Sequence, residues 1–399
     1  MKAGCAKLTS FIRRRQLFYG LTVLLAVASC LSFNSVHSAT IPMPPVLSSK
    51  SAVLIDGDGR IVYSENADLR LPMASTTKIM TALVALDFFD PQKIVSITPD
   101  AVGTEGSSAY LTAYEKIPLI DLLYALMLQS ANDAAIAIAV AVGGDLSTFV
   151  DMMNKKASDL GLENSHFMNP HGLYEDGHYT SAYDLAVIMN AAMHNEIFAK
   201  IVSTKKYVSE PECGLKRYFT NHNRLLWRLD SCIGGKTGFT KKTGRCLVSV
   251  TDNDGLVLVA VTLSDPNDWT DHEKLHAFGK SRYVKRVLAK KGQYAVDVAV
   301  ENSDQKNVTL VNRDCCEIWL PAGTSFRYVY ECDRFIYAPA SSDKSEGKVV
   351  FLTEDNAYLA DIPLYPETNV EIEVKKKKNL FKIISDFFEK ILSLFRGAI

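Results

Sequence analysis

The 399-residue sequence lacks a charge imbalance: 44 Lys and Arg stand against 45 Asp and Glu, for a formal net charge of −1. Nucleic-acid binding needs a concentrated positive footprint, so no nucleic-acid partner is expected. Histidine is sparse, with eight residues scattered along the chain, and no cysteine pair with metal-ligand spacing sits beside a histidine cluster. A zinc site is therefore not expected, and no cofactor is implied. The cysteines exclude little more. If an N-terminal leader carrying Cys5 and Cys30 is removed, Cys213, Cys232, Cys246, Cys315, Cys316 and Cys332 remain, and spacing alone cannot pair them. Cys315 and Cys316 are adjacent, so each would need its own partner or stay free.

What is present is ordinary globular composition, 47% hydrophobic and 22% charged, in a length that suggests two to three domains. At the N-terminus Arg13-Arg14-Arg15 precede the apolar stretch Leu17–Ala28, and small residues follow up to Ser38-Ala39. This pattern reads as a secretory signal over 1–39, cleaved near Ala39. An uncleaved anchor, or lipid on Cys30 of Val27-Ala28-Ser29-Cys30, are the alternatives.

Three short motifs carry chemistry. Ser75-Thr76-Thr77-Lys78 opens the apolar run Ile79–Leu86. Residues three apart share a helix face at about 5–6 Å, so Lys78 can reach the Ser75 hydroxyl. Serine is a poor nucleophile until a neighbour takes its proton, and a lysine does so only when its pKa is pulled down by burial or a second cation. Ser130-Ala131-Asn132 forms a polar corner between Leu122–Leu128 and the alanine-rich Ala134–Ala139. Gly234-Gly235-Lys236-Thr237-Gly238-Phe239-Thr240 reads as the first strand of a hairpin. Its turn is Lys241-Lys242-Thr243-Gly244, and its second strand starts at Arg245-Cys246. Singly, the first two motifs could be helix caps and the third a plain hairpin with a solvated lysine.

In this order the set Ser-x-x-Lys, Ser-x-Asn, Lys-Thr-Gly resembles that of penicillin-binding proteins and serine β-lactamases. From about Ser51 to the C-terminus the chain is similar to the D-alanyl-D-alanine carboxypeptidases, the low-molecular-mass penicillin-binding proteins. Leu71-Pro72-Met73-Ala74, Ser130–Ala134 and Asn169-Pro170-His171-Gly172-Leu173 extend the likeness. The resemblance implies catalytic residues Ser75, Lys78, Ser130, Asn132 and Lys236. It implies substrate binding by Lys236, Thr237, Gly238, Phe239 and Thr240, with oxyanion donors at the amides of Ser75 and Phe239. The implied substrate is the peptidoglycan stem peptide, trimmed of its terminal D-alanine, and β-lactams are the implied inhibitors. Class A β-lactamases add a deacylating glutamate, which Glu163 and Glu175 do not convincingly supply. A D,D-endopeptidase acting on cross-links and an idle peptidoglycan-binding protein are further alternatives. Some relatives bind the terminal carboxylate with an arginine after Lys-Thr-Gly. The corresponding stretch Leu263–Trp269 has none, so that task would fall to Lys236, Thr237 or Thr240. His171 and His178 fall in a loop, where solvent exposure is expected.

The implied fold is α/β, the transpeptidase fold of penicillin-binding proteins and β-lactamases, over 40–290. Ala52–Ile55 and Arg60–Tyr63 flank the turn Asp56-Gly57-Asp58-Gly59, helices and loops fill about 75–200, and strands resume over Cys232–Leu263. The two ends would thus meet in one antiparallel sheet packed on helices. Short alternating runs at Tyr294–Val300, Lys348–Leu352 and Asn369–Val374 suggest a small all-β domain over 291–374. The tail, 375–399, begins Lys375-Lys376-Lys377-Lys378. It then places Leu380, Phe381, Ile384, Phe387, Phe388, Ile391, Leu394 and Phe395 on one helical face, with Lys382, Ser385, Asp386, Glu389, Lys390, Ser393 and Arg396 opposite. Charges at this spacing do not suit a span of the roughly 30 Å hydrocarbon core. They suit an in-plane amphipathic helix on the outer surface of the cytoplasmic membrane.

Overall fold

The computed structural model describes residues 43–211, 215–373 and 384–390. The expected signal segment, Cys213 and most of the expected tail helix lie outside the described residues. Strands β1 (Ser51–Asp56) and β2 (Ile61–Glu65) pair antiparallel. The Asp56 carboxylate closes their turn by accepting from the amides of Asp58 and Arg60 at 3.0 and 2.8 Å. Every residue of β1 is buried, because the strand is central: β2 lies on one side and a strand some two hundred residues later on the other.

A 3₁₀ turn (Ala74–Thr77) leads into α1 (Lys78–Phe88), and the small antiparallel pair β3 (Ile94–Ser96) and β4 (Lys116–Pro118) follows. Helix α2 (Leu119–Tyr124) widens into a π turn (Ala125–Gln129) that stops at Ser130, whose φ is +60°. Next come α3 (Asn132–Gly143), α4 (Leu146–Asp159), α5 (Ala182–Met193) and α6 (Glu196–Ser203). Helices α1 and α3 are apolar nearly all round, which suits only a buried position, and Ala134, Ala135, Ala137 and Ala139 are almost completely enclosed. Asp145 and Ser181 cap α4 and α5 by accepting from the amides of Thr148 and Asp184.

After the pair β5 (Lys206–Ser209) and β6 (Arg217–Thr220) and the short α7 (Leu225–Arg228), the main sheet is completed by β7 (Cys232–Thr240), β8 (Gly244–Asn253) and β9 (Leu256–Leu263). Its order is β2-β1-β9-β8-β7, antiparallel throughout, so the two ends of the region do meet in one sheet. Alternation along β1 and β9 sends Val53, Ile55, Val259 and Val261 into the helical core. Leu54, Leu258 and Ala260 go to the other face, against Leu275 of α8 (Asp268–Ser281).

The second sheet has its own core around Leu310, Val349, Phe351 and Leu364. Strand β10 (Tyr283–Ala289) pairs with β13 (Cys316–Pro321). The remaining strands are β11 (Ala295–Glu301), β12 (Asn307–Asn312), β14 (Phe326–Cys332), β15 (Phe335–Tyr337), β16 (Gly347–Thr353) and β17 (Tyr358–Pro366), in the order β14-β16-β17-β12-β11-β15. The expected strand at Asn369–Val374 is not formed within its described residues. Val370 makes one bridge to Ala340 and is buried, whereas Ile372 has no partner strand and is exposed. Cys232, Cys246, Cys315, Cys316 and Cys332 are all free thiols. Residues 384–390 are helical and exposed on every side, Phe387 and Phe388 included. Among the described residues no single helix is long and apolar enough to cross a membrane.

Candidate active site

The three motifs converge. The 3₁₀ turn presents Ser75, and Lys78, the first residue of α1, is completely buried with Nζ 3.0 Å from Ser75 Oγ. The same Nζ lies 2.7 Å from Asn132 Oδ1 and 2.5 Å from the His171 carbonyl oxygen. Neither of these oxygens is ionised. A neutral amine can therefore donate its two N–H bonds to them and keep its lone pair for the serine proton. Complete burial, then the charge of Lys236, hold the Lys78 pKa well below the usual lysine range, with Asp133 opposing more weakly. Both sources of pKa depression expected from the sequence are thus present. Lys236, on β7, is also buried, and burial lowers its pKa to about 7. Its Nζ donates to Ser130 Oγ and to the Thr237 carbonyl, each at 3.0 Å.

Close approach of β7 to the serine turn explains the glycine of Lys-Thr-Gly. A Cβ on Gly238 would stand 2.9 Å from the Met73 oxygen and 3.2 Å from the Ser75 nitrogen. A cavity of ≈ 510 Å³ opens beside this contact, lined by Ser75, Ser107, Ser130, Thr237, Gly238 and Phe239 among others. Thr240 lies at the far end of β7, where its hydroxyl donates to Thr243 Oγ1 and accepts from the Thr243 amide. Of the predicted set, Lys78 joins Ser75 to Asn132 and Lys236 contacts Ser130, two groups coupled through the charge of Lys236, while Thr237–Phe239 line the cavity and Thr240 serves the turn.

Several residues that shape this site were not anticipated. An arginine does reach the cavity, contrary to the expectation drawn from Leu263–Trp269: Arg245 comes from β8, directly opposite Phe239, and Arg224 joins it. The buried Asp268 grips the Arg245 guanidinium through Nε at 3.0 Å and Nη2 at 2.9 Å. The hairpin register, already legible in the sequence, was the signal that could have found Arg245. Asp133 is the second omission. It accepts from the amides of Ala109 and Leu111 and from the Ser108 hydroxyl. These bonds hold the loop that supplies the Ser107 and Glu105 carbonyls to the Asn132 amide and side chain. Arg217 braces the same loop from behind by a buried bidentate pair with Glu115 and bonds to the Ala109 and Tyr110 carbonyls. Third, His178 is not exposed but 4% accessible, with Nε2 2.8 Å from Thr77 Oγ1. His171 is half-buried, and desolvation followed by the charge of Lys78 lowers its pKa to about 4.

The arrangement can perform nucleophilic acyl transfer: a hydroxyl with a buried amine whose pKa is pulled down, a second hydroxyl beside a second lysine, and a strand edge to take an extended peptide. The comparisons agree. A family model described as D-alanyl-D-alanine carboxypeptidase matches residues 38–267. The chain is 32% identical over 328 residues to D-alanyl-D-alanine carboxypeptidase DacF of Bacillus subtilis, covering 79% of this chain and 84% of that one. Among solved structures, penicillin binding protein 5 from Haemophilus influenzae is similar with a TM-score of 0.58 and 27% identity, over 83% of this chain and 99% of that one. The carboxypeptidase DacD from Francisella tularensis is similar with a TM-score of 0.59 and 25% identity, over 86% and 100%.

Proposed function

The chain belongs to the D-alanyl-D-alanine carboxypeptidase family, and from that premise we propose that Ser75 is the nucleophile of a serine hydrolase that removes the terminal D-alanine from peptidoglycan stem peptides. The observation that carries this is the 3.0 Å contact between Ser75 Oγ and a fully buried lysine amine whose direct hydrogen-bond partners are all un-ionised. Lys78 takes the Ser75 proton as Oγ attacks the carbonyl carbon between the two D-alanines. The amides of Ser75 and Phe239 receive the negative charge that develops on the carbonyl oxygen. The proton taken by Lys78 returns through Ser130, which gives its own proton to the departing amine and is reprotonated from Lys78; the C–N bond breaks, D-alanine leaves an acyl ester on Ser75, and Lys78 is neutral again. Asn132 holds the peptide amide, and water, deprotonated by Lys78, hydrolyses the ester. A β-lactam acylates the same hydroxyl.

Terminal-carboxylate recognition is assigned to Thr237 with Arg245 and Arg224. Arg245 is held at the cavity wall by Asp268, and Lys236 is already engaged with Ser130 and Thr237. The enzyme is read as exported. We assign 40–290 to the catalytic domain and 291–374 to a separate β-domain; two separate cores support two units, although the second core also takes in Leu288 and Ala289 from the end of β10. Residues 375–399 are assigned to a membrane-surface helix, supported by the exposed helical stretch 384–390.

The test is incubation of the processed protein with a synthetic stem pentapeptide and mass analysis of the products. Loss of one alanine, abolished by Ser75→Ala, is expected. An intact pentapeptide, or cleavage only of cross-linked dimers, overturns the reading.

A further inference from the structure

Thr77 and His178 form a buried relay that ends at the nucleophile's own peptide bond. The Met168 amide donates to His178 Nδ1 at 3.0 Å. That bond occupies the Nδ1 lone pair, so the ring proton sits on Nε2, which donates to Thr77 Oγ1 at 2.8 Å. The Thr77 hydroxyl in turn donates to the Ala74 carbonyl, also at 2.8 Å. Thr77 and His178 are both almost fully enclosed, so water does not compete for these bonds. Burial holds the imidazole pKa down to about 3, leaving a neutral donor throughout the working pH range.

The Ala74 carbonyl and the Ser75 N–H are two ends of one planar trans peptide unit. A bond that pins the oxygen therefore aims the N–H in the opposite direction, toward β7, where Gly238 leaves room. The unit needs pinning. Ala74 has φ of +48°, a region costly for a residue with a Cβ. Gly172 presses on the same carbonyl so closely that a Cβ there would lie 1.9 Å from the oxygen.

We propose that His178 is a positioning residue for acyl transfer, orienting the Ser75 N–H as an oxyanion donor through Thr77 and the Ala74 carbonyl. The inference rests on the acyl-transfer reading above. It makes the loop after Asn169-Pro170-His171-Gly172 part of the machinery that stabilises the transition state, although His178 touches no substrate.

Removing an oxyanion donor outright costs about 10²–10³-fold in kcat, and misaiming one should cost less. His178→Leu is expected to lower the acylation rate by about 10–100-fold while KM for the pentapeptide changes little. Affinity for a boronic acid that forms a tetrahedral adduct on Ser75 should fall in parallel with the rate. His178→Gln can accept from Met168 through its oxygen and donate to Thr77 through its nitrogen, and should recover activity to within a few-fold of the natural protein. Thr77→Val, which keeps shape and removes the relay oxygen, should reproduce His178→Leu, and the double variant should be no worse than either alone. Full activity in Thr77→Val, equal damage from Gln and Leu, or an unchanged boronate affinity alongside a reduced rate would each overturn the proposal. If His178→Leu does not fold, Thr77→Val decides alone. Failure of the natural protein to acylate would instead strike the reading beneath it.

Discussion

Replacing Asp133 separates stability from chemistry in one experiment. Its carboxylate is 1% accessible and serves the buried amides of Ala109 and Leu111 as well as the Ser108 hydroxyl. In Asp133→Ala the hydroxyl can turn to another acceptor, but the two amides cannot. An orphaned buried donor costs about 1–3 kcal/mol, so the pair predicts a loss of about 2–6 kcal/mol, a large part of a typical domain's stability. Asp133→Asn keeps one carbonyl oxygen and should lose roughly half as much. The charge acts differently. Asp133 favours protonated Lys78. Removing that charge lowers the Lys78 pKa further, so the neutral base is present at lower pH and the acidic limb of acylation moves down the pH scale. This shift follows charge alone and should be equal in Asn and Ala. Denaturant midpoints with unchanged m-values, and the pH profile of labelled-penicillin acylation, measure the two effects. A loss below about 1 kcal/mol in both variants, or a limb that moves upward, refutes the reasoning.

Two further predictions concern the lysines and the tail. A guanidinium does not lose its proton in proteins, so Lys78→Arg should lose the general-base contribution of about 10²–10⁴-fold in acylation. Lys236→Arg keeps the positive field and should retain measurable labelling; equal tolerance at both sites in a timed penicillin-binding assay refutes the division of roles. Deleting 379–399 from the processed protein should release it from membranes with small-peptide activity intact. Phe388→Asp should weaken attachment far more than Ser385→Asp. A truncated protein that still sediments with vesicles would move the anchor to the N-terminal segment.

The sheet was legible because its strands follow simple periodicities. β1 reads as a continuous apolar run, since it is buried on both faces, and the Asp-Gly-Asp-Gly turn and the Lys-Lys-Thr-Gly turn fix their hairpins. The failure at Asn369–Val374 is instructive: alternation is necessary for a half-buried strand, but a strand also needs a neighbour, and among its described residues only Val370 forms a β-bridge. The proposed catalytic set was legible for a different reason. A nucleophile, its base and an electrostatic lysine require particular functional groups, so residue type alone carries information at Ser75, Lys78, Ser130, Asn132 and Lys236. The buried pair His272 and His276 shows the opposite case. Both rings hydrogen-bond Ser249 between α8 and the sheet, yet nothing in their spacing distinguishes them from surface histidines.

The residues that hold the motifs in place stayed hidden because their task can be done by several residue types. Each motif leans on one such anchor: the serine turn on His178 through Thr77, the Ser-x-Asn corner on Asp133 and its loop, and the Lys-Thr-Gly strand on β8. What these positions need is a count of donors and acceptors at a given place, and that count depends on which distant segment is brought near. Met168 lies ten residues from His178, but Thr77 lies 101 away, and Asp133 reaches back more than twenty residues to Ala109 and Leu111. The consequence is an asymmetry in how the site should respond to substitution. At the anchors, a replacement that preserves the hydrogen-bond count should largely preserve function, as Gln is expected to do at His178. At Ser75 and Lys78 no such replacement exists, because a transferable proton and a nucleophilic oxygen are properties of the group itself rather than of its contacts.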